Sequence, residues 1–225
     1  MNFDLLPIVL SFKLAAITSL LLLIIGIPIA YLLASSKSKF KFLLEAVLSL
    51  PLVLPPSVLG FYLLLAFAPD SVIGKIADSL FGLRLVFSFE GIVVASIIYS
   101  FPFMVQPIQT ALENLPNSLT EAAYTLGKSR FKTLVHVLLP NIKPAILVGT
   151  VLSFAHTVGE FGVVLMIGGN IPGETRVASL AVFDEVESLN YEQAHFYSII
   201  LLISAFLIIT LVYWINRRNR ATLTI

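Results

Sequence analysis

Cysteine is absent from all 225 residues, and charge is scarce, with 14 basic and 13 acidic residues making up 12% of the chain. Without cysteine there is no disulfide, no thiolate metal site and no thiol nucleophile. A soluble domain carries about twice that charged fraction, so a water-facing globule is excluded. The net charge of +1 gives no reason to expect nucleic acid as a partner. Three scattered histidines do not make a metal cluster. A cleavable leader is also excluded at the first apolar run, Leu14 to Ala34. That run exceeds the roughly 7–15 residues of a signal-peptide core, and no basic segment opens it.

What the chain has in place of charge is apolar length. Hydrophobic residues make up 58% of it, and the mean hydropathy is +0.97. Five runs, near 11–34, 45–68, 90–112, 144–167 and 195–215, come close to or exceed the roughly 20 residues that cross a bilayer. Backbone groups in lipid must bond within their own segment, which makes helices the default. The expectation is an all-α membrane protein, a polytopic bundle of five transmembrane helices. Pro51, Pro55 and Pro56 fall in the second run, Pro102 and Pro107 in the third, and Gly159 and Gly162 in the fourth. These are expected to break their helices. Such residues are common in membrane helices, and they also mark helices that bend around a pathway.

Lysine and arginine set the orientation. Lys37, Lys39 and Lys41, then Lys128, Arg130, Lys132 and Lys143, then Arg217, Arg218 and Arg220 all fall on one side of a five-span layout. The other side holds Lys75, Arg84 and Arg176 among seven acids, Asp70, Asp78, Glu174, Asp184, Glu185, Glu187 and Glu192. The N-terminus is therefore expected outside, and the C-terminus and the 117–140 segment in the cytoplasm.

That cytoplasmic segment, Asn117 to Pro140, is polar and basic and is held between two apolar spans. Ser118 with Glu121 three residues later reads as a capping box. It predicts a helix over Leu119 to Leu126, stopped by Gly127. A second helix is expected from Ser129 or Arg130 to just before Pro140. Ala122 and Ala123 would let a partner's backbone approach. Tyr124 and Leu126 offer apolar anchors inside a rim of Lys128, Arg130 and Lys132. On these signals alone, a docking patch and an ordinary loop both stand open. Gly127-Lys128-Ser129 imitates the end of a phosphate-binding loop, but Ala122 stands where that loop needs glycine and no strand precedes it.

Glu121-Ala122-Ala123, Gly127, Val137, Leu139 and Pro140 resemble the EAA motif of ABC-transporter permeases. The spacing agrees throughout, with Val137 in place of the usual isoleucine. The segment Leu50 to Pro56, the segment Ser100 to Gln106 and the stretch Phe154 to Arg176 further resemble the permease subunit of molybdate ABC transporters. The likeness runs over residues 8–215, as one type-1 transmembrane domain with the type I (MetI-like) fold. It implies a multi-pass inner-membrane subunit that is not itself an enzyme and binds no cofactor. ATP and Mg would belong to a separate ATP-binding subunit docked on the EAA loop. It also implies an extracytoplasmic molybdate-binding protein as partner. A homodimer is the simplest way to enclose a pathway with so few helices.

Two titratable residues fall well inside a span, His156 and Glu160. Their i, i+4 spacing is expected to put them on one helix face. A charge at that depth normally faces protein or water. A gate or packing role suits Glu160 better than contact with an oxyanion it would repel. Ser57, Thr150, Ser153, His156 and Thr157 offer weak donors to a passing ion. Glu45 and Lys41 read as an interfacial pair. Gly168 to Gly173 reads as a turn that, with Asn170, Glu174 and Arg176, faces a delivering protein or simply closes the span. Asp184 to Glu192 is expected to be an outer-face helix. Tungstate and sulfate remain alternative cargoes. An autonomous channel or ion-driven carrier would need a longer charge relay than one His-Glu pair.

Overall fold

A computed structural model describes residues 4–221, with side chains up to Trp214. Arg217, Arg218 and Arg220, used above for orientation, lie outside the described side chains. Among the described residues the regular structure is all helical, in twelve α-helices and one π-helical turn. The helix α1, Leu6–Ser35, starts where Asp4 Oδ1 accepts the Leu6 N–H at 2.9 Å, with Pro7 in the first turn. A sharp break separates α2, Lys41–Val53, from α3, Pro56–Phe67, and a short amphipathic α4, Val72–Phe81, follows. The central helix is α5, Phe89–Glu113. Next come α6, Asn117–Thr125, and α7, Arg130–Thr133, which runs through the π turn Leu134–Leu138 into α8, Leu139–Asn141. The remaining helices are α9, Lys143–Val158, α10, Gly162–Gly168, α11, Ala178–Glu187, and α12, Tyr191–Ala221.

Among the described residues, α1, α5 and α12 are each long and apolar enough to cross a membrane, and the number rises to five if each of two bent helix pairs counts as one span. The run near 45–68 is one of those pairs, α2 and α3, bent by 113°. The cause is local: Pro55 forces Leu54 into extended backbone (ψ 137°), and Pro56 does the same to Pro55 (ψ 134°). The other pair is Arg130–Asn141 with α9, bent by 80°, and the run near 144–167 itself divides into α9 and α10 at Gly159, Glu160 and Phe161. The expected break in the third run does not occur. Pro102 and Pro107 sit inside a continuous α5. That helix is clamped by α1 and α9, and such packing lets a membrane helix carry proline without parting.

Small residues set the closest approaches. A methyl group added to Gly26 of α1 would lie 2.9 Å from Met104 Cγ, and one on Gly149 of α9 would lie 2.9 Å from the Met104 carbonyl oxygen. Interfaces of this kind replace the hydrophobic effect, which is missing between helices in lipid. Two apolar clusters result. One joins Leu14, Ile92, Ala95, Val163, Val164 and Ile167. The other joins Leu22, Leu33, Met104, Ile108, Leu134 and Leu138 at the end of the bundle that carries α6. By contrast, α2, α3 and α12 expose much of their apolar surface, including Phe42, Leu44, Val47, Phe61, Leu202 and Phe206.

Two expected elements are revised. The capping box is not made: α6 starts at Asn117, one turn-forming residue after Pro116, and no side chain caps it. Pro116 already fixes the entry dihedral, at φ −59°. The acidic stretch from Asp184 to Glu192 is not one helix. It spans the end of α11, a turn with Leu189 at φ +58°, and the start of α12. Asn190 closes that turn, its N–H donating to the Glu185 carbonyl at 2.8 Å and its amide to Glu185 Oε2 at 2.7 Å.

Candidate functional site

Three polar constellations stand out on the helical frame. The first is the helix pair at the α6 end. Gly127 takes φ +72°, with nothing within 4 Å of where a Cβ would stand, so the requirement for glycine is conformational. The Gly127 N–H donates to the Tyr124 carbonyl (2.9 Å) and the Lys128 N–H to the Ala123 carbonyl (3.0 Å). Both bonds of a Schellman motif are present. Ser129 then opens α7, its hydroxyl accepting the Lys132 N–H at 3.4 Å.

The pair has a back and a front. Leu134, Leu138 and Ile142 are buried against Leu33 and Leu112, and Val137 and Leu139 pack beside them. The element is thereby fixed to the ends of α1 and α5. Helical backbone continues past Pro140 rather than stopping before it, because the π turn widens the coil ahead of the proline. Ala123 is buried (4% exposed), internal to the pair and not offered to a partner. Glu121, Ala122 and Pro140 are exposed. Tyr124, Leu126 and Phe131 stand out from the front, with Leu126 79% and Phe131 73% exposed. Phe131 was missed in the sequence, where it reads as one apolar residue between two basic ones.

The second constellation is a cavity of about 590 Å³ where the two broken helices cross. Pro56 and Ser57 of α3 meet Tyr99 of α5, His156 of α9 and the Gly159–Gly162 break. His156 and Glu160 both line it, although Glu160 stands beyond the end of α9 and not one turn along the same helix. Glu160 is 3% exposed, with its carboxyl group beside the Ser96 hydroxyl of α5. Its backbone carbonyl accepts from Ser179 Oγ of α11 at 2.5 Å. His156 lies between Tyr99 and Phe103, at ring-centroid distances of 4.6 and 4.2 Å. Thr157 and Ser153 are buried between helices, and Thr150 bonds to the Ile146 carbonyl of its own helix at 2.8 Å. These three do not line the cavity.

The third constellation closes the opposite end. Asn170, at φ +56°, donates its amide to both Asp184 oxygens at 2.8 Å. Arg176 meets Asp184 at 3.1 Å and donates from Nε to Asn170 Oδ1 at 3.1 Å. Thr175 donates to the Gly168 carbonyl (2.6 Å) and accepts the Ile171 N–H (2.8 Å). Asn170 and Arg176 are thus engaged inside a corner that ties α10 to α11, while Glu174 is exposed. Asp184→Ala should lower stability by about 1–2 kcal/mol, through loss of charge-assisted bonds. A drop of a few degrees in melting temperature in detergent, absent in Glu174→Ala, would check this.

Residues 26–223 match the family described as "Binding-protein-dependent transport system inner membrane component". The chain belongs to this family. As an inner membrane component it is a multi-pass membrane protein. It is 46% identical over 98% of its length, and 97% of the other's, to the molybdenum transport system permease protein ModB of Azotobacter vinelandii. ModB of Escherichia coli K12 is 41% identical over 80% of this chain and 79% of that one. A probable sulfate transport system permease protein, cysT of Nephroselmis olivacea, is 34% identical over 92% of this chain and 72% of its own. The fold of this inner membrane component is also that of a chain in an inward-facing MetNI methionine ABC transporter. There the TM-score is 0.71 at 16% identity, covering 94% of each chain.

Proposed function

We propose that this chain is the membrane-spanning subunit of an ATP-driven importer that carries molybdate into the cytoplasm. The observation that carries the cargo is the near-full-length identity to a molybdenum permease, which exceeds that to the sulfate permease. With each of the five apolar runs taken as a span, the N-terminus is outside and the α6–α8 element is cytoplasmic, a reading that the lysine and arginine bias supports.

The exposed front of that element, Tyr124, Leu126 and Phe131 with Glu121 and Ala122, is the docking surface for a separate ATP-binding subunit. ATP and Mg are assigned to that partner, and the chain itself is not an enzyme. A homodimer supplies two such elements and encloses a pathway between the apolar faces left bare on α2, α3 and α12. An extracytoplasmic binding protein delivers the oxyanion on the α11 side. ATP binding draws the two docked elements together, and their rigid attachment to α1 and α5 transmits the motion to the broken helices. Sulfate is the second reading, favoured by the likeness to the sulfate permease.

The reconstituted complex should hydrolyse ATP several-fold faster when molybdate-loaded binding protein is added, and less so with the sulfate-treated protein. Equal stimulation by both would move the assignment to sulfate, and no stimulation would remove the binding-protein partner.

A further inference from the structure

A ladder of polar side chains between α2 and α5 takes no part in the docking and cargo assignments above. The inference from it rests on the reading of α6–α8 as the docking element. Three rungs join the two helices, which run antiparallel here. Lys41 Nζ meets Glu113 Oε1 at 2.7 Å. Gln109 donates to Glu45 Oε1 at 2.5 Å, and Gln106 donates to Ser49 Oγ at 3.0 Å. The rungs are also tied to one another. Lys41 lies 3.6 Å from Glu45 Oε1, and Gln109 donates to Glu113 Oε1 at 2.9 Å. Residues 41, 45 and 49 stand one helical turn apart and so share one face of α2.

Little else holds α2. Of its thirteen residues only Pro51 is buried. A cavity of about 220 Å³ lies beside the rungs, lined by Glu45, Ser49, Gln106 and Gln109 together with Leu33 and Pro102. Close packing is therefore missing where the rungs are. Apolar contact between helices in lipid brings no hydrophobic gain, and polar bonds take its place. A connected network of such bonds also stiffens the pair and fixes its register.

Each end of the ladder meets a part that the transport cycle moves. Glu113 is the last residue of α5, and only Asn114, Leu115 and Pro116 separate it from α6. That link is itself fixed. The Asn114 N–H donates to the Thr110 carbonyl at 3.2 Å, and the Leu115 N–H to the Leu112 carbonyl at 3.3 Å. Leu112 and Leu115 pack with Leu134 and Leu138 of the docking element. At the other end, Ser49 stands four residues before Val53, where α2 stops and the chain bends by 113° into α3. The first residues of α3, Pro56 and Ser57, line the cavity at the crossing of the broken helices.

We propose that this ladder is a strut, in which Lys41, Glu45 and Ser49 lock α2 to α5 so that a displacement of the docking element reaches the α2–α3 bend. They are positioning residues for transport. With the rungs broken, α5 slides past α2 across the loosely packed cavity. ATP is then hydrolysed without moving the bend.

The test reconstitutes the permease with its ATPase and loaded binding protein in proteoliposomes, and reads ATP hydrolysed per radiolabelled molybdate taken up. Glu113→Lys sets two cations against each other at the first rung. It should raise that ratio at least tenfold, with hydrolysis within about twofold of wild type. Lys41→Glu added to Glu113→Lys rebuilds the pair in reverse and should bring the ratio back to within about threefold of wild type. An unchanged ratio in Glu113→Lys, as when uptake and hydrolysis fall together, overturns the strut. So does a double variant no better than the single one. Because the chain has no cysteine, Val53→Cys can carry one polarity-sensitive fluorophore at the bend, where Val53 is 83% exposed. ATP with vanadate should shift its emission when the ladder is intact and leave it unchanged in Glu113→Lys. Equal shifts in both, or none with the ladder intact, overturn the strut. If Glu113→Lys does not assemble, Glu113→Gln decides on the same two readouts, with a rise in the ratio of at least threefold. The fluorescence needs no cargo, so a shift without molybdate uptake removes the cargo assignment and leaves the strut standing. Co-purification of the ATPase reports on the docking reading by itself.

Discussion

Leu126→Asp combined with Glu121→Arg should abolish ATP-driven uptake while the protein still inserts at normal levels. Both side chains are exposed on the front of the α6–α8 element, and Leu126 is 79% exposed, so neither supports the fold of the chain that carries it. The back of the element is held separately by Leu134, Leu138 and Ile142. A buried anchor replaced by a carboxylate at a docking surface costs about 2–4 kcal/mol of binding, which is roughly 30-fold or more in affinity. Reversing the Glu121 charge adds to that loss. The ATPase subunit should no longer co-purify, and uptake should fall at least tenfold. Gly127→Ala is a milder companion, costing about 1 kcal/mol through the φ +72° backbone alone.

The second large effect is structural. Gly149→Leu should reduce the amount of assembled protein in the membrane at least tenfold. Gly149 is buried where α9 crosses α5, and its first added carbon would already lie 2.9 Å from the Met104 carbonyl oxygen and 3.4 Å from Met104 Sδ. The carbonyl is fixed in the α5 backbone and cannot yield as a side chain would. Overpacking of a tight helix contact costs about 1–3 kcal/mol or more. Here it also pushes α9 away from α5, the helix that runs through both apolar clusters. Membrane abundance by immunoblot, with Leu152→Ala on the exposed side of α9 as control, checks this.

How much of this was legible in the chain depends on how local each feature is. The Gly127 stop could be read directly, because a left-handed residue after a helix needs glycine whatever surrounds it. The α2–α3 bend followed from Pro55 and Pro56 in the same way. Pro102 and Pro107 misled, because the packing of α1 and α9 that keeps α5 continuous is invisible in its own sequence. Ala122 and Ala123 are adjacent and identical, yet one is exposed and the other buried. That difference comes from where the π turn places the second helix. Arg176 looked free for a partner until the structure put Asp184 beside it, fourteen residues after Asn170. Ser57 and Glu160 could be picked as polar residues in apolar runs. Their meeting across one cavity depends on two breaks in separate helices coming together, which spacing does not encode.

In the proposed cycle, ATP hydrolysis by a partner drives molybdate through this chain by way of the α6–α8 element. Its most direct test is uptake of radiolabelled molybdate into proteoliposomes that hold the permease and its ATPase, with loaded binding protein supplied outside. Accumulation against a gradient should occur only with ATP inside, and should vanish in the Leu126→Asp/Glu121→Arg variant. Accumulation without ATP, or at an unchanged rate in that variant, would contradict the account.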